Sequence, residues 1–369
     1  MAEAEALDTA SARKDVRPVL IASKRSMAEQ GTCLQHLLVG LADESIVTAL
    51  VCPPDVDDGD LAVAPAEVLR HPQVDLPLME HFGVERAAVQ LEKFKPTVLH
   101  CLCESRAAWV RRLARRLDVP YVLAINALTK KFSTLPISAA CCRSIVVPAE
   151  TVRSSVMRGY VRFADRIRQI NTGTFVESEA VCFSDPERLS SIVVVHRLDR
   201  VGPFECLFRA VRTLVKEGNE LAVVIMGSGR AEPKLRGLLA DYDLSEVVTI
   251  VPPLEPRRSV LAAGDIFVQP EPATTFSMAL LEAMGLGMAV VACGGGVDDL
   301  IVANQTALVF EPGDAESIRQ CLARLLDDQG FARRLAGMAQ TYVAGRHSVG
   351  AMVSATLKTY SEAQRSYSH

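Results

Sequence analysis

The chain has 369 residues, of which 49% are hydrophobic and 23% charged, the balance of an ordinary globular protein. Lys plus Arg total 40 and Asp plus Glu 44, leaving a formal net charge of -4, which excludes a generally basic protein built to coat nucleic acid. The length favours about two domains, and no apolar run approaches the roughly 20 residues that span a bilayer.

Residues 1–16 are polar and lack an apolar h-region, so they read as a disordered leader and not as a secretory signal. The expected location is cytoplasmic, with membrane contact peripheral at most, since no strongly basic amphipathic helix is present. Short apolar runs predict strands at 18–22, 46–52, 97–102, 120–125 and 144–147, with helices between them, among them 30–42 and 105–117. Arg111, Arg112, Arg115 and Arg116 give the second helix a basic side, read as a solvated face. Segment 53–80 carries several prolines and an acidic cluster and reads as a long irregular loop.

Segment 172–190 is rich in Ser, Glu and Asp without periodicity, which marks a linker. Beyond it come strands at 191–196, 221–226, 247–251, 266–269, 289–292 and 307–310, each separated by a helix-length segment, and helix throughout 315–365. Strand–helix alternation at this spacing, occurring twice, predicts two parallel sheets covered on both faces. The 10 cysteines are scattered, with Cys101 and Cys103, and Cys141 and Cys142, the closest groupings. No Cys-x-x-Cys occurs, so these read as buried reduced thiols.

The most informative stretch runs from Gly264 to Gly285. A strand ends at Gln269-Pro270, a polar loop follows, and Thr274, Thr275 and Ser277 supply hydroxyls where a helix N-cap belongs. Free N–H groups at such a terminus favour an anion, phosphate above all. By itself this pattern reads as an ordinary capped helix with Glu282 on its surface. Gly227-Ser228-Gly229 lacks the third glycine of a dinucleotide fingerprint, which disfavours a nicotinamide enzyme. Asp55-Val-Asp57 and Asp241-Tyr-Asp243 match Asp-x-Asp but lie outside a strand-end context.

Five phrases in residues 191–330 carry a wider resemblance. They are Val-Val-His196-Arg197-Leu198, Val224-Ile-Met-Gly227-Ser-Gly229, Asp265-Ile-Phe-Val-Gln-Pro270, Leu281-Glu282-Ala283-Met284-Gly285-Leu286-Gly287 and Gly294-Gly295-Gly296-Val297-Asp298-Asp299. In order and spacing they resemble the donor domain of family-4 glycosyltransferases, retaining enzymes of the GT-B fold. The amino half matches more weakly, through Gly31, His36 and the stretch Pro96 to His100. The fold this implies is α/β, two doubly wound Rossmann-like domains facing a central cleft. An acceptor-side domain is expected at 17–180 and a donor domain at 185–345. A last helix at 349–365 is expected to return to the amino domain.

The resemblance also implies roles. Glu282 matches the second Glu of the family's Glu–seven residues–Glu signature, which grips the nucleotide ribose. Thr275, Phe276 and Ser277 match the loop that holds the diphosphate, Gly227 and Gly229 the glycine loop beside it, and Arg197 an Arg near the leaving group. His100 is a candidate facing the cleft. The first signature Glu falls at Thr274, the family Lys at Gly202, and the second His of its His-x-His at Leu102, so three polar groups of the motifs are replaced. The expected activity is transfer of a sugar from a nucleoside-diphosphate sugar, with retention, to a glycan, lipid-linked or small-molecule acceptor. Neither cofactor nor metal is implied. The alternative is a catalytically silent GT-B protein that binds a nucleotide, a glycan or a partner.

Overall fold

The computed structural model describes residues 15–55, 66–71, 77–129, 135–185, 187–254 and 256–367. The expected leader, apart from its last two residues, and Asp57 of the first Asp-x-Asp lie outside the described residues. The chain divides into two compact units, one of Met1–Gly173 with Val349–His369 and the other of Thr174–Ser348.

The first unit contains β1 (Pro18–Ile21), α1 (Lys24–Asp43), β2 (Thr48–Cys52), β3 (Ala66–Arg70), α2 (Pro77–Phe94), β4 (Val98–Cys101), α3 (Ala107–Leu117), β5 (Tyr121–Ala124), β6 (Cys142–Val147), α4 (Glu150–Gly159) and β7 (Ile167–Gln169). Its sheet runs β3-β2-β1-β4-β5-β6-β7, with every pair parallel. The helix expected at 30–42 begins earlier, at Lys24. The Ser23 hydroxyl accepts from Ser26 N at 3.1 Å and Ser26 Oγ accepts from Ser23 N at 2.8 Å, a reciprocal cap that starts the helix there. Segment 53–80 is not wholly irregular. It holds β3, which pairs in register with β2 from Thr48↔Ala66 to Cys52↔Arg70, and the start of α2 at Pro77. The strand escaped notice because it lies at a sheet edge and none of its five residues is fully buried, so no apolar run marks it.

The second unit contains β8 (Ser190–Val195), α5 (Gly202–Lys216), β9 (Leu221–Met226), α6 (Glu232–Asp241), β10 (Val248–Val251), α7 (Arg257–Ala262), β11 (Ile266–Gln269), α8 (Met278–Leu286), β12 (Ala289–Cys293), β13 (Leu308–Phe310), α9 (Ala315–Asp327) and α10 (Gln329–Arg346). Its sheet runs β10-β9-β8-β11-β12-β13, again with every pair parallel. One face is filled by Phe204, Leu207, Phe208 and Val211 of α5 and Ile318, Leu322 and Leu325 of α9, against Ile192, Val194, Ile225, Val268 and Val291 of the strands. All nine residues of α8 are buried, the pattern of a helix enclosed on every side.

The linker expected at 172–190 is docked, and the unit boundary falls at Gly173/Thr174. Backbone N–H groups of Glu177, Val181 and Cys182 donate to the carbonyls of Gly285, Leu286 and Gly287 at 2.9, 3.1 and 3.2 Å. The buried carboxylate of Asp265 accepts from Phe183 N at 2.8 Å, Arg188 at 2.6 Å, Ser191 N at 2.9 Å and Ser191 Oγ at 2.8 Å. Backbone N–H groups and the Arg188 side chain therefore tie this segment down.

The final stretch, expected to be helical throughout with a last helix at 349–365, is three helices. Asp328 caps α10 by accepting from Phe331 N at 2.7 Å, and the chain breaks again at His347 before α11 (Val349–Tyr367). Helix α11 belongs to the first unit. Val349, Met352, Val353, Leu357 and Tyr360 share one core with Leu34, Leu37, Leu38 and Leu41 of α1 and with Leu20, Leu50, Val98, Val122 and Val146 of the sheet.

Candidate functional site

In an open parallel sheet, ligands bind outside the carboxyl ends of the strands where the strand order reverses. In the second unit that point lies between β8 and β11, because the chain leaves β8 through β9 and β10 and returns on its other side. The segments leaving these two strands meet there. His196, just past β8, places Nε2 3.3 Å from Glu271 Oε1, just past β11. Arg200 donates to the other carboxylate oxygen of Glu271. The Glu271 side chain is only 15% exposed, while Arg200 is 67% exposed with its charge toward solvent. Arg197, expected beside a leaving group, is also exposed and is held by Asp199 Oδ2, at 2.9 Å from Nε and 2.8 Å from a terminal nitrogen.

The neighbouring turn after β9 needs its glycines for close packing. A Cβ at Gly227 would lie 1.9 Å from the His196 carbonyl oxygen, and one at Gly229 would lie 2.4 Å from the Leu198 backbone. The two turns are joined by Leu198 N to Ser228 O at 3.0 Å and Ala231 N to Leu198 O at 2.8 Å. These glycines thus shape the rim at the switch point by letting one backbone lie on the other.

The loop from β11 to α8 is pinned at both ends. Val297 N donates to Ala273 O at 2.7 Å, which ties the loop to the triglycine segment. Phe276 is buried and stacks on His347 with ring centroids 6.0 Å apart and an interplanar angle of 26°. Ser277 caps α8 by accepting from Leu280 N at 3.2 Å. Thr274 is exposed and Thr275 half-buried on the same loop. An anion at this terminus would meet the positive end of the helix dipole. Phe276 does not present its ring to that anion; its burial on His347 fixes the backbone on either side.

Glu282 sits one turn inside α8 from that terminus and is 0% exposed, with a carboxylate oxygen 3.9 Å from an Arg257 nitrogen at the start of α7. His100 belongs to the first unit. It is buried, and its Nδ1 lies 2.7 Å from the Tyr360 hydroxyl of α11, ring against ring at 75°. Burial lowers its pKa to about 4, so the imidazole is neutral at neutral pH. Among the described residues Nε2 has no hydrogen-bond partner, and it lines a cavity of about 80 Å³ with Leu37, Leu102, Val122, Asn126 and Met352.

The structure brings together Thr275, Phe276, Ser277, Gly227 and Gly229 around one strand-end region of the second unit. It buries Glu282 beneath that region, and Arg197 stands at its edge. Two residues without an expected role, His196 and Glu271, occupy the switch point itself. The available signal was weak: His196 directly follows one strand and Glu271 stands two residues past another, but nothing in the sequence pairs β8 with β11.

The two parallel sheets with their helices define the GT-B fold. The chain superposes on a glycosyltransferase from Rickettsia africae with a TM-score of 0.79, 15% identity and coverage of 94% of this chain and 98% of that one. It superposes on Anabaena HepE, solved with UDP and glucose, with a TM-score of 0.79, 13% identity and coverage of 94% and 99%. Residues 190–328, which hold β8 to β13, match the family described as glycosyl transferases group 1. Among relatives in sequence, the sulfoquinovosyl transferase of Arabidopsis thaliana is 25% identical over 271 residues, covering 66% of this chain and 52% of the relative. The D-inositol 3-phosphate glycosyltransferase of Corynebacterium urealyticum is 24% identical over 270 residues, covering 63% of this chain and 64% of that protein. The chain thus spans about half to two thirds of the length of these relatives.

Proposed function

We propose that this protein is a glycosyltransferase that moves a sugar from a nucleoside-diphosphate sugar to an acceptor, with retention, in the manner of family 4. The carrying observation is the switch point at β8 and β11, where the capped terminus of α8 and the exposed Arg200 border one strand-end region within the matched segment. Backbone N–H groups at Thr275–Ser277 would hold the diphosphate, and Arg200 and Arg197 would offset the charge that develops on it as the glycosidic bond breaks. Glu282 would fix the nucleoside end, with Arg257 as its partner. The acceptor, whether glycan, lipid-linked or small molecule, would lie on the unit that holds His100. UDP is the first nucleotide to test, because HepE was solved with it. No described helix is long and apolar enough to cross a membrane; a cytoplasmic location with at most peripheral membrane contact is part of the proposal. So is a reaction without metal or cofactor.

A specific observation favours a second reading. Thr274, Gly202 and Leu102 stand where the family carries Glu, Lys and His, which fits a catalytically silent protein that binds a nucleotide, a glycan or a partner. Calorimetry with UDP, GDP and ADP and their sugar conjugates, followed by assay of donor turnover with an acceptor panel, separates the two. Binding of one base series that Arg200→Ala weakens, with turnover, supports the enzyme. Binding without turnover supports a silent protein that keeps its nucleotide site, and no binding at millimolar ligand overturns the enzyme and leaves a silent scaffold for a glycan or a partner.

A further inference from the structure

The first unit has its own point of strand-order reversal, between β1 and β4. The cavity that His100 lines lies beside that point, at the carboxyl ends of β4, β5 and β6, where parallel sheets seat their ligands. Helices α1 and α11 cover it. Its floor is His100, Val122, Val146, Met352 and Tyr360, all buried, and its rim is Gln30, Leu102, Asn126 and Ile170, all half-buried. Helix α1 leaves helical geometry at Gln30, with φ -131° and ψ 18°, so it bends where it meets the rim.

Among the described residues none that lines the cavity is charged, so an ion inside would lose its water without gaining a counter-charge. Several donors on the lining are already used. Asn126 Nδ2 donates to Gln30 Oε1 at 3.0 Å and to Leu102 O at 3.1 Å. The hydroxyls of Thr356 and Thr359 donate to the carbonyls of Met352 and Ala355 at 2.8 and 2.9 Å, back along their own helix. His100 differs: it is 6% exposed, and its Nε2 is buried without a hydrogen bond among the described residues. The Tyr360 hydroxyl makes its one hydrogen bond among those residues to His100 Nδ1. Its proton is satisfied only if Tyr360 donates, which leaves the proton of the neutral ring on Nε2. The opposite tautomer would bury an unpaired hydroxyl proton as well as an unpaired nitrogen. The floor therefore presents one N–H donor in apolar surroundings, a group whose burial costs free energy until an acceptor meets it.

We propose that this cavity is a ligand-binding site for a neutral molecule with a compact apolar body and one hydrogen-bond-accepting oxygen, a small ketone or alcohol, seated with that oxygen on His100 Nε2. The oxygen accepts from Nε2–H, and Val122, Val146 and Met352 close on the apolar body. A cavity of about 80 Å³, against roughly 10–15 Å³ for one water, takes a body of roughly six non-hydrogen atoms. The lining lies wholly within the first unit, so the site is complete without a nucleotide and independent of sugar transfer.

The test uses the full chain labelled with nitrogen-15 in histidine, with His100 assigned through nuclear Overhauser contacts to the Tyr360 ring, whose centroid lies 5.6 Å away. Long-range nitrogen–proton spectra at neutral pH are expected to show the ring proton on Nε2. Cyclopentanone and cyclopentanol should then shift the His100 signals saturably, with a Kd of about 1 mM, the range open to so few atoms. The cyclopentylammonium and cyclopentanecarboxylate ions, similar in shape but charged, should bind roughly tenfold more weakly or worse. In Ala124→Leu, whose added carbons enter the cavity, both neutral probes should lose their effect. All but this last measurement are made on the unaltered protein, so they hold even where the variant does not fold. A ring proton on Nδ1, or His100 signals that neither neutral probe moves, would overturn the proposal, as would equal affinity for the charged probes. No nucleotide enters any of these readouts, so failure here and failure of the transferase reading are told apart.

Discussion

Glu271 and His196 face each other across the switch point of the second sheet, with Oε1 3.3 Å from Nε2, although 75 positions separate them in the chain. Adjacent parallel strands create this proximity: β8 and β11 pair at Ile192↔Ile266 and Val193↔Phe267, and each residue follows its strand end. The same carboxylate receives Arg200, so a single partly buried charge orders two cationic or polar groups at the place where an anionic ligand is proposed to bind.

Glu271→Gln keeps the shape and removes the charge. Arg200 is then no longer neutralised, and a diphosphate gains its full attraction. Nucleotide affinity is expected to rise by roughly three- to tenfold, since a charge-assisted contact is worth about 1 kcal/mol at such a site. Turnover with an intact donor is expected to fall, because His196 and Arg200 lose the group that positions them. Calorimetry with UDP alongside a steady-state assay checks both. Loss of UDP affinity together with turnover would mean that Glu271 only holds the loop.

Arg200→Ala is expected to weaken nucleotide binding by a similar factor, and more strongly at low salt, since its charge is exposed and screened by ions. Titration of UDP at two ionic strengths reads this directly.

Much of this architecture was legible in the chain. The strands of the second unit are continuous apolar runs because parallel strands are buried on both faces, and those runs lie within a residue or two of the observed β8, β9, β11 and β12. The loop at Thr275–Ser277 was legible because a capping Ser and a strand-ending Pro are local signals. Edge strands β3 and β7 were not, since neither has two buried faces. Asp265 shows a different limit. It opens a motif phrase and so suggests a ligand, yet it sits at the amino end of β11 and uses both oxygens to anchor 183–191. A motif records that a residue type recurs at a position, not which end of a strand it serves.

Asp265→Asn tests that structural role. One substituted oxygen becomes a donor facing donors, and Arg188 loses its partner, so the expected loss is about 3 kcal/mol of stability in the second unit. Limited proteolysis should cut within 174–189 before any cut elsewhere in that unit. Unchanged protection of that segment would argue against the anchor.

His100 makes the first unit sensitive to acid. Its folded pKa of about 4 lies below the unfolded value near 6.5, so between those limits the unfolded chain binds the extra proton and the folded chain does not. Stability is complete above about pH 6.5 and falls as the pH drops towards 4, by about 3 kcal/mol for this group alone. Urea unfolding followed by the fluorescence of Trp109, the chain's single tryptophan and a residue of α3, isolates this unit. In His100→Gln the midpoint should move less between pH 7 and pH 4.5 than in the unaltered protein. Tyr360→Phe should lower the unfolding free energy at both values by about 1–2 kcal/mol, because Nδ1 loses the hydroxyl that satisfies it. A His100→Gln profile parallel to that of the unaltered protein would place the acid sensitivity elsewhere.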